Sequence, residues 1–214
     1  MDNKTIVKIL EILKREYKKW KAPIVTEIAK ETRDPFRVLV STVLSSRTKD
    51  AVTRKAAEKL FERAATPSDI EKLPAREIEK LIYPVGFFHT KARRIPELAG
   101  ILIDKYGGKV PDSMDELLKL PGVGRKTANL VITIGFGKPG ICVDTHVHRI
   151  SNRFGYVGTK NPTETEFALR KKLPEKWWIL YNDLLVTLGQ NICFPRNPDC
   201  PICPINKLCE QKDL

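Results

Sequence analysis

A lysine and an aspartate stand 18 positions apart in residues 120–150, LPGVGRKTANLVITIGFGKPGICVDTHVHRI. The stretch opens on a Gly-rich turn, Leu120-Pro121-Gly122-Val123-Gly124, at a helix entrance, with Arg125 and Lys126 just inside. A helix entrance presents backbone N–H groups and the positive end of the helix dipole, so a phosphate is a natural guest there. An amine beside such a site, partnered by the carboxylate of Asp144, has the makings of a nucleophile with an acid–base or electrostatic partner. Each piece alone also has a plainer reading. A GxG run is commonly only a turn, a lone lysine is commonly solvated, and an aspartate before Thr-His-Val is commonly an N-cap. Their combination is what points to chemistry.

The second concentration of reactive side chains is Cys193, Cys200, Cys203 and Cys209, spaced C-x6-C-x2-C-x5-C within 17 residues. Four thiols this close read as a metal site, because short loops gather them at little ordering cost. Zinc and an iron–sulfur cluster both remain open on spacing alone. Cys142, next to Val143, stands outside the set and reads as a buried free thiol.

The formal charge is +12 over 214 residues, which suits a polyanion because neutralising phosphates releases counterions. No run is apolar enough to span a membrane, and Asp2, Lys4, Lys8 and Glu11 interrupt any secretory signal. The expected setting is cytoplasmic and nucleoid-associated, with the cysteines reduced rather than paired.

The elements that must position these residues read as helices throughout. Ile6, Ile9, Leu10, Leu13 and Tyr17 have helical spacing and predict a helix over 3–20. Asp34-Pro35, Thr66-Pro67 and Asn161-Pro162 each read as an N-cap followed by proline at the first helical position. Ser113 and Glu116 predict a capping box ahead of the Gly-rich turn. Further helices are expected near 143–153, 163–172 and 176–191, and alternating β-branched runs are nearly absent. The class is all-α. Gly135, Gly137, Pro139 and Gly140 interrupt the pattern as a hinge. The loop Pro84-Val85-Gly86-Phe87-Phe88-His89 sets two aromatics beside Lys91, Arg93 and Arg94, although core filling is the plainer reading of either Phe.

LPGVGRKTA, then VDTH at this interval, then the cysteine tail, resembles the endonuclease III family of DNA glycosylases, in the helix–hairpin–helix superfamily. The resemblance runs from Asp34-Pro35-Phe36 through Leu44-Ser45-Ser46 to Cys209. It implies a two-lobed fold: a six-helix barrel over 28–138 containing the hairpin, and a cluster lobe made of 1–27 and 139–214. It implies Lys126 as the Schiff-base lysine, Asp144 as the catalytic aspartate, and Gly122, Val123 and Gly124 as the hairpin whose amides hold a DNA phosphate. The four tail cysteines match the ligands of a [4Fe–4S] cluster. The implied partner is double-stranded DNA with a damaged pyrimidine or abasic site, met by a monomer without a membrane. Arg125, Phe88, His89 and Lys91 are expected to line the DNA surface, and the loop after Cys193 to present Arg196 to the backbone.

This chain leaves the family pattern at Arg47, where Gln commonly probes the gap left by a flipped base. Phe87, at the adjoining wedge position, replaces a residue that is often aliphatic. The implied activity is a bifunctional glycosylase and AP lyase acting on oxidised pyrimidines. Arg47 keeps a thymine/uracil mismatch glycosylase of the same fold as an alternative, although Lys126 argues against its monofunctional form. An adenine-mismatch enzyme is expected to lack Lys126 and to carry an extra C-terminal domain. A non-catalytic helix–hairpin–helix module would explain the charge and the hairpin but not Lys126, Asp144 and the cysteines together.

Overall fold

A computed structural model describes residues 1–20 and 23–212. Lys21, Ala22, Asp213 and Leu214, which fall within the sequence-predicted cluster lobe, lie outside the described residues. Among the described residues there is no β-strand. Two compact units appear: Met1–Pro23 with Pro139–Leu214, and Ile24–Lys138. No helix among the described residues is long and apolar enough to cross a membrane.

The Ile24–Lys138 unit carries α2 (Ile24–Thr32), α3 (Pro35–Ser45), α4 (Asp50–Arg63), α5 (Pro67–Glu71), α6 (Ala75–Ile82), α7 (Phe88–Tyr106), α8 (Met114–Leu117) and α9 (Arg125–Leu130). α3 is central. Every residue from Val38 to Leu44 is buried, and α2, α4, α7 and α9 pack around it. A helix that is apolar on all sides must lie inside its domain. Its start is fixed by Asp34, whose carboxylate accepts the Phe36 N–H at 2.9 Å, with Pro35 at the first position. α5 begins on a full capping box between Thr66 and Asp69.

The box predicted at α8 is only half formed. Ser113 accepts the Glu116 N–H at 3.4 Å, while the Glu116 carboxylate takes hydrogen bonds from the Tyr106 hydroxyl at 2.7 Å and the Lys119 ammonium at 2.5 Å. α9 runs on into a π-helical turn, Val131–Gly135, before the chain leaves the unit through Gly137 at φ +66°.

The other unit joins α1 (Asn3–Glu16) to α10 (Thr145–Arg153), α11 (Pro162–Lys172) and α12 (Trp178–Asn191), followed by the cysteine tail. Ile6, Ile9, Leu10 and Leu13 of α1 are fully buried with Val147, Ile150, Tyr181, Leu185 and Leu188. α1 is shorter than the predicted 3–20. Its end tightens into a 3-10 turn, Tyr17–Lys19, where Trp20 donates to the Tyr17 carbonyl at 3.2 Å. Such tightening satisfies carbonyls that an α-helix leaves open.

Candidate active site and nucleic-acid interface

The Gly-rich turn joins α8 to α9. The Leu120 N–H donates to Leu117 at 3.1 Å and the Val123 N–H to Leu120 at 3.2 Å, so two successive turns reverse the chain. Gly122 sits at φ +80°, a conformation that glycine adopts without strain. Gly124 is the N-cap of α9 at φ −101°, and a Cβ there would meet nothing within 4 Å. Its distinguishing feature is what it lacks: no side chain caps the first turn of α9. Exposed Gly122 and Gly124 therefore leave the turn's backbone approachable. Val123 does not share this role. Its side chain is buried, and its N–H is spent within the turn. Lys126 is the second residue of α9, half-buried, followed by buried Thr127, Ala128 and Asn129 that seat the helix on its unit.

Asp144 is the N-cap of α10. Its Oδ1 accepts the Val147 N–H at 2.9 Å, fixing the carboxylate at the helix entrance. Farther along, α10 is tied to the cysteine tail by two arginines that sequence reasoning passed over. Arg149 Nη2 donates to the Cys193 carbonyl at 2.7 Å. Burial lowers the pKa of Arg149, while Cys193 and Asp144 pull it back up as negative neighbours. Buried Arg153 donates through Nη1 to Cys193 Sγ at 3.4 Å and to the Phe194 carbonyl at 2.6 Å, and through Nη2 to Pro195 at 2.8 Å. These bonds hold the loop whose exposed tip carries Arg196, next to Asn197 at φ +49°. The signal for them was present: Arg149 and Arg153 are four residues apart on one face of a predicted helix.

Cys193, Cys200, Cys203 and Cys209 line one small cavity, walled by Arg153, Leu188 and Ile205 among others. Burial pushes the Cys203 thiol up to about 11 and raises Cys209 as well, and neighbouring sulfurs add to both. Four thiols around one cavity are a donor set that suits a cationic centre, since metal binding stabilises the thiolates. Among the described residues no three His, Cys, Asp or Glu side chains are grouped to hold a metal ion. Cys142 is buried and outside the tail.

The loops around Arg47 and Phe87 meet in the Ile24–Lys138 unit. Arg47 is exposed at φ +52° and Phe87, 61 % exposed, caps α7 at φ +58°. The Arg47 guanidinium lies 5.3 Å from the Phe87 ring centroid, within cation–π range. Two non-glycine residues in left-handed conformation at facing loop tips is an unusual arrangement, of the kind that accompanies function. Phe88 is half-buried, edge-on to Tyr83 at 5.3 Å, and stacks on His89, whose Nδ1 meets Glu79 at 2.9 Å. Tyr83, 62 % exposed beside this cluster, carried no sequence signal of its own.

Lys91 corrects the sequence reading. It is buried, and its ammonium donates to the carbonyls of Leu44 at 2.8 Å and Ser46 at 2.7 Å, with Thr48 Oγ1 at 3.5 Å. Burial pushes its pKa down to about 8. It cannot reach a phosphate, and the periodicity contained the reason: Lys91, Ile95, Leu98 and Leu102 fall on one stripe of α7, and all four are buried.

Comparison with known proteins places these features in a family. Residues 40–175 match the HhH-GPD superfamily base excision DNA repair protein family. The chain is 56% identical to Endonuclease III of Thermotoga maritima over 181 residues, covering 85% of this chain and 84% of that one. A solved structure described as a trapped Endonuclease III–DNA covalent intermediate, an estranged-adenine complex, superposes with a TM-score of 0.88 at 38% identity, over 99% of this chain and 97% of that one. The structure of a thermostable thymine-DNA glycosylase superposes at 0.83 with 30% identity, over 98% and 97%. The chain belongs to the HhH-GPD superfamily of base excision DNA repair proteins and, within it, to the endonuclease III family.

Proposed function

We propose that the chain excises oxidised pyrimidines from duplex DNA and cuts the strand by β-elimination, as a bifunctional DNA glycosylase and AP lyase of base excision repair. The observation that carries this reading is Lys126 placed directly behind an uncapped hairpin turn in a chain with this family membership. A damaged pyrimidine is out of reach inside the duplex, so the enzyme flips it out at a cost of a few kcal/mol. Arg47 and Phe87 hold the vacated stack open, while the amides around Gly122 and Gly124 take a backbone phosphate. Arg125 adds charge at that entrance, and Arg196, Phe88 and His89 lie along the flanking DNA surface.

Neutral Lys126 Nζ attacks C1′. The N-glycosidic bond breaks, and the base leaves with the electron pair and gains a proton. Opening of the sugar ring gives an imine between Nζ and C1′. The imine acidifies the C2′ proton, and its removal expels the 3′ phosphate and cuts the strand. Water then hydrolyses the imine and frees Lys126. Asp144 takes the proton from the incoming lysine or stabilises positive charge on the sugar. Its bond to Val147 does not compete with this, since one carboxylate oxygen can cap while the other faces substrate. The reading asks the two units, one bearing Lys126 and the other Asp144, to serve one substrate.

The decisive experiment is borohydride trapping on duplexes that each carry one lesion, one mismatch or one abasic site. Wild type should form a trapped complex and cut oxidised pyrimidines. Lys126→Gln should do neither while still binding DNA. Trapping by Lys126→Gln at wild-type level, or cleavage confined to G·T and G·U mismatches, would overturn the assignment.

The cysteine tail is proposed to hold a [4Fe–4S] cluster through Cys193, Cys200, Cys203 and Cys209. Four thiols around one cavity support a multi-atom centre seated among them, and Arg153 beside Cys193 Sγ offsets the negative charge of such a centre. When bound, the cluster supplies a cross-link in a tail with little core of its own. Purified protein should be brown, with visible absorption that bleaches as iron is lost. Colourless protein with one zinc per chain would replace the cluster by zinc.

A further inference from the structure

The last carbonyls of an α-helix have no partner within the helix, and a cation at that end is favoured by the dipole. α3 ends at Ser45, and the ammonium of Lys91 closes it by taking the carbonyls of Leu44 and Ser46. Ser46 and Thr48 flank Arg47. Thr48 Oγ1 donates to the Ser46 carbonyl at 3.1 Å and accepts the Gly86 N–H at 3.1 Å, which sews the Arg47 loop to the loop before Phe87. The two backbones touch here. A Cβ on Gly86 would lie 2.4 Å from the Arg47 carbonyl oxygen, so only glycine fits. The Lys91 N–H donates to the Phe87 carbonyl at 3.0 Å, so one residue holds both loops, by its backbone on one side and its side chain on the other.

We infer that Lys91 is a positioning residue for base flipping: by clamping the Leu44 and Ser46 carbonyls it fixes the Arg47 loop against the Phe87 loop, so that the stacked Arg47–Phe87 pair enters the helix already formed. The inference rests on the proposed role of that pair in filling the vacated stack. Left-handed backbone at non-glycine residues persists only where the surroundings over-determine it. Lys91, Thr48 and Gly86 are those surroundings, at two loops 40 residues apart in sequence. Holding the wedge in its inserted form avoids ordering it during flipping, which is where preorganisation gains rate. Lys91 also spends buried charge on this task, since burial has pulled its pKa well down from the ordinary lysine value.

The test is a double-mutant cycle on the full protein: wild type, Lys91→Met, Arg47→Ala with Phe87→Ala, and all three together. Methionine keeps length and apolar stem but removes the side-chain donors to Leu44, Ser46 and Thr48, leaving the backbone bond to Phe87 in place. Two readouts are needed: single-turnover excision of an oxidised pyrimidine, and fluorescence of 2-aminopurine beside the lesion, which reports unstacking. Lys91→Met should slow excision and the fluorescence rise on the order of tenfold. In the Arg47→Ala, Phe87→Ala background it should add less than about twofold, because its targets are gone. Cleavage of a preformed abasic site, with no base to flip, should change far less.

Equal slowing in both backgrounds would show that Lys91 only supports the fold and would remove this inference alone. Wild-type excision by the Arg47→Ala, Phe87→Ala protein would remove the pair's role and the inference with it. If circular dichroism shows Lys91→Met unfolded at the assay temperature, Thr48→Val enters the same cycle, since it cuts the stitch to Gly86 and leaves the ammonium in place.

Discussion

The helices α9 and α10 both begin at candidate chemistry, and they begin in opposite ways. α9 opens on Gly124, which supplies no side-chain cap, and α10 opens on Asp144, whose carboxylate is bonded to the Val147 N–H at 2.9 Å. An entrance capped only by glycine forgoes about a few tenths of a kcal/mol relative to a good cap, and gains a surface where an anion finds amides and dipole instead of a carboxylate. A capped entrance keeps the stability and holds its acid in a fixed place. On the proposed reading, the same structural device serves as an anion seat in one unit and as a mount for a carboxylate in the other. Gly124 is the informative residue here. Its φ of −101° is open to any amino acid and a Cβ would have room, so neither conformation nor packing demands glycine.

The largest effect should come from separating the two duties of Asp144. Asparagine caps helices as well as aspartate does but carries no charge. Asp144→Asn should therefore slow base release roughly 10²–10³-fold, the size seen when one transition-state electrostatic partner is removed. Its thermal midpoint should stay near wild type, and cleavage of a preformed abasic site should suffer far less. Asp144→Ala should show the same catalytic loss together with about 1 kcal/mol of lost stability. A catalytic loss in Asp144→Asn that is matched by a fall in thermal midpoint would reduce α10 to the capping half of the comparison.

The contrast also separates what the residue order discloses from what it hides. Asp34-Pro35, Thr66-Pro67 and Asn161-Pro162 were legible as helix starts because a cap and its N–H partner lie two or three residues apart. The hairpin and the four cysteines were legible for the same reason of nearness. Glu116 was misread in its pairing because its carboxylate had a choice, and Tyr106 and Lys119 took it. Lys91 was misread more deeply, from its company of arginines in the chain, although its place on the apolar stripe of α7 marked it as buried. Its acceptors are main-chain carbonyls of Leu44 and Ser46, and a carbonyl has no letter in the sequence. Arg149 and Arg153 were missed on the same account, since Cys193, Phe194 and Pro195 receive them through their backbones. Sites made of side chains near one another in sequence can be read. Sites sewn through backbone oxygen across 40 residues have to be seen.

A smaller experiment reverses the comparison by giving α9 the kind of cap that α10 has. Gly124→Asn keeps the extended backbone of the N-cap, has space for its side chain, and brings a neutral oxygen to the second or third N–H of the helix. Asparagine exceeds glycine as an N-cap by only a few tenths of a kcal/mol, which in a chain of this size raises the thermal midpoint by about 1 °C. The same side chain occupies the place where a DNA phosphate is to sit. Affinity for an undamaged duplex should fall a few-fold and its salt dependence should flatten by up to about one unit, because one phosphate contact is given up. Both should move about equally across sequences, since a backbone contact carries no base information. If the midpoint rises and the affinity does not change, the first turn of α9 is an ordinary uncapped helix start and the phosphate lies elsewhere. If the affinity falls with no gain in midpoint, the asparagine is obstructing the phosphate without capping, and the anion seat stands while the contrast in capping loses its energetic basis.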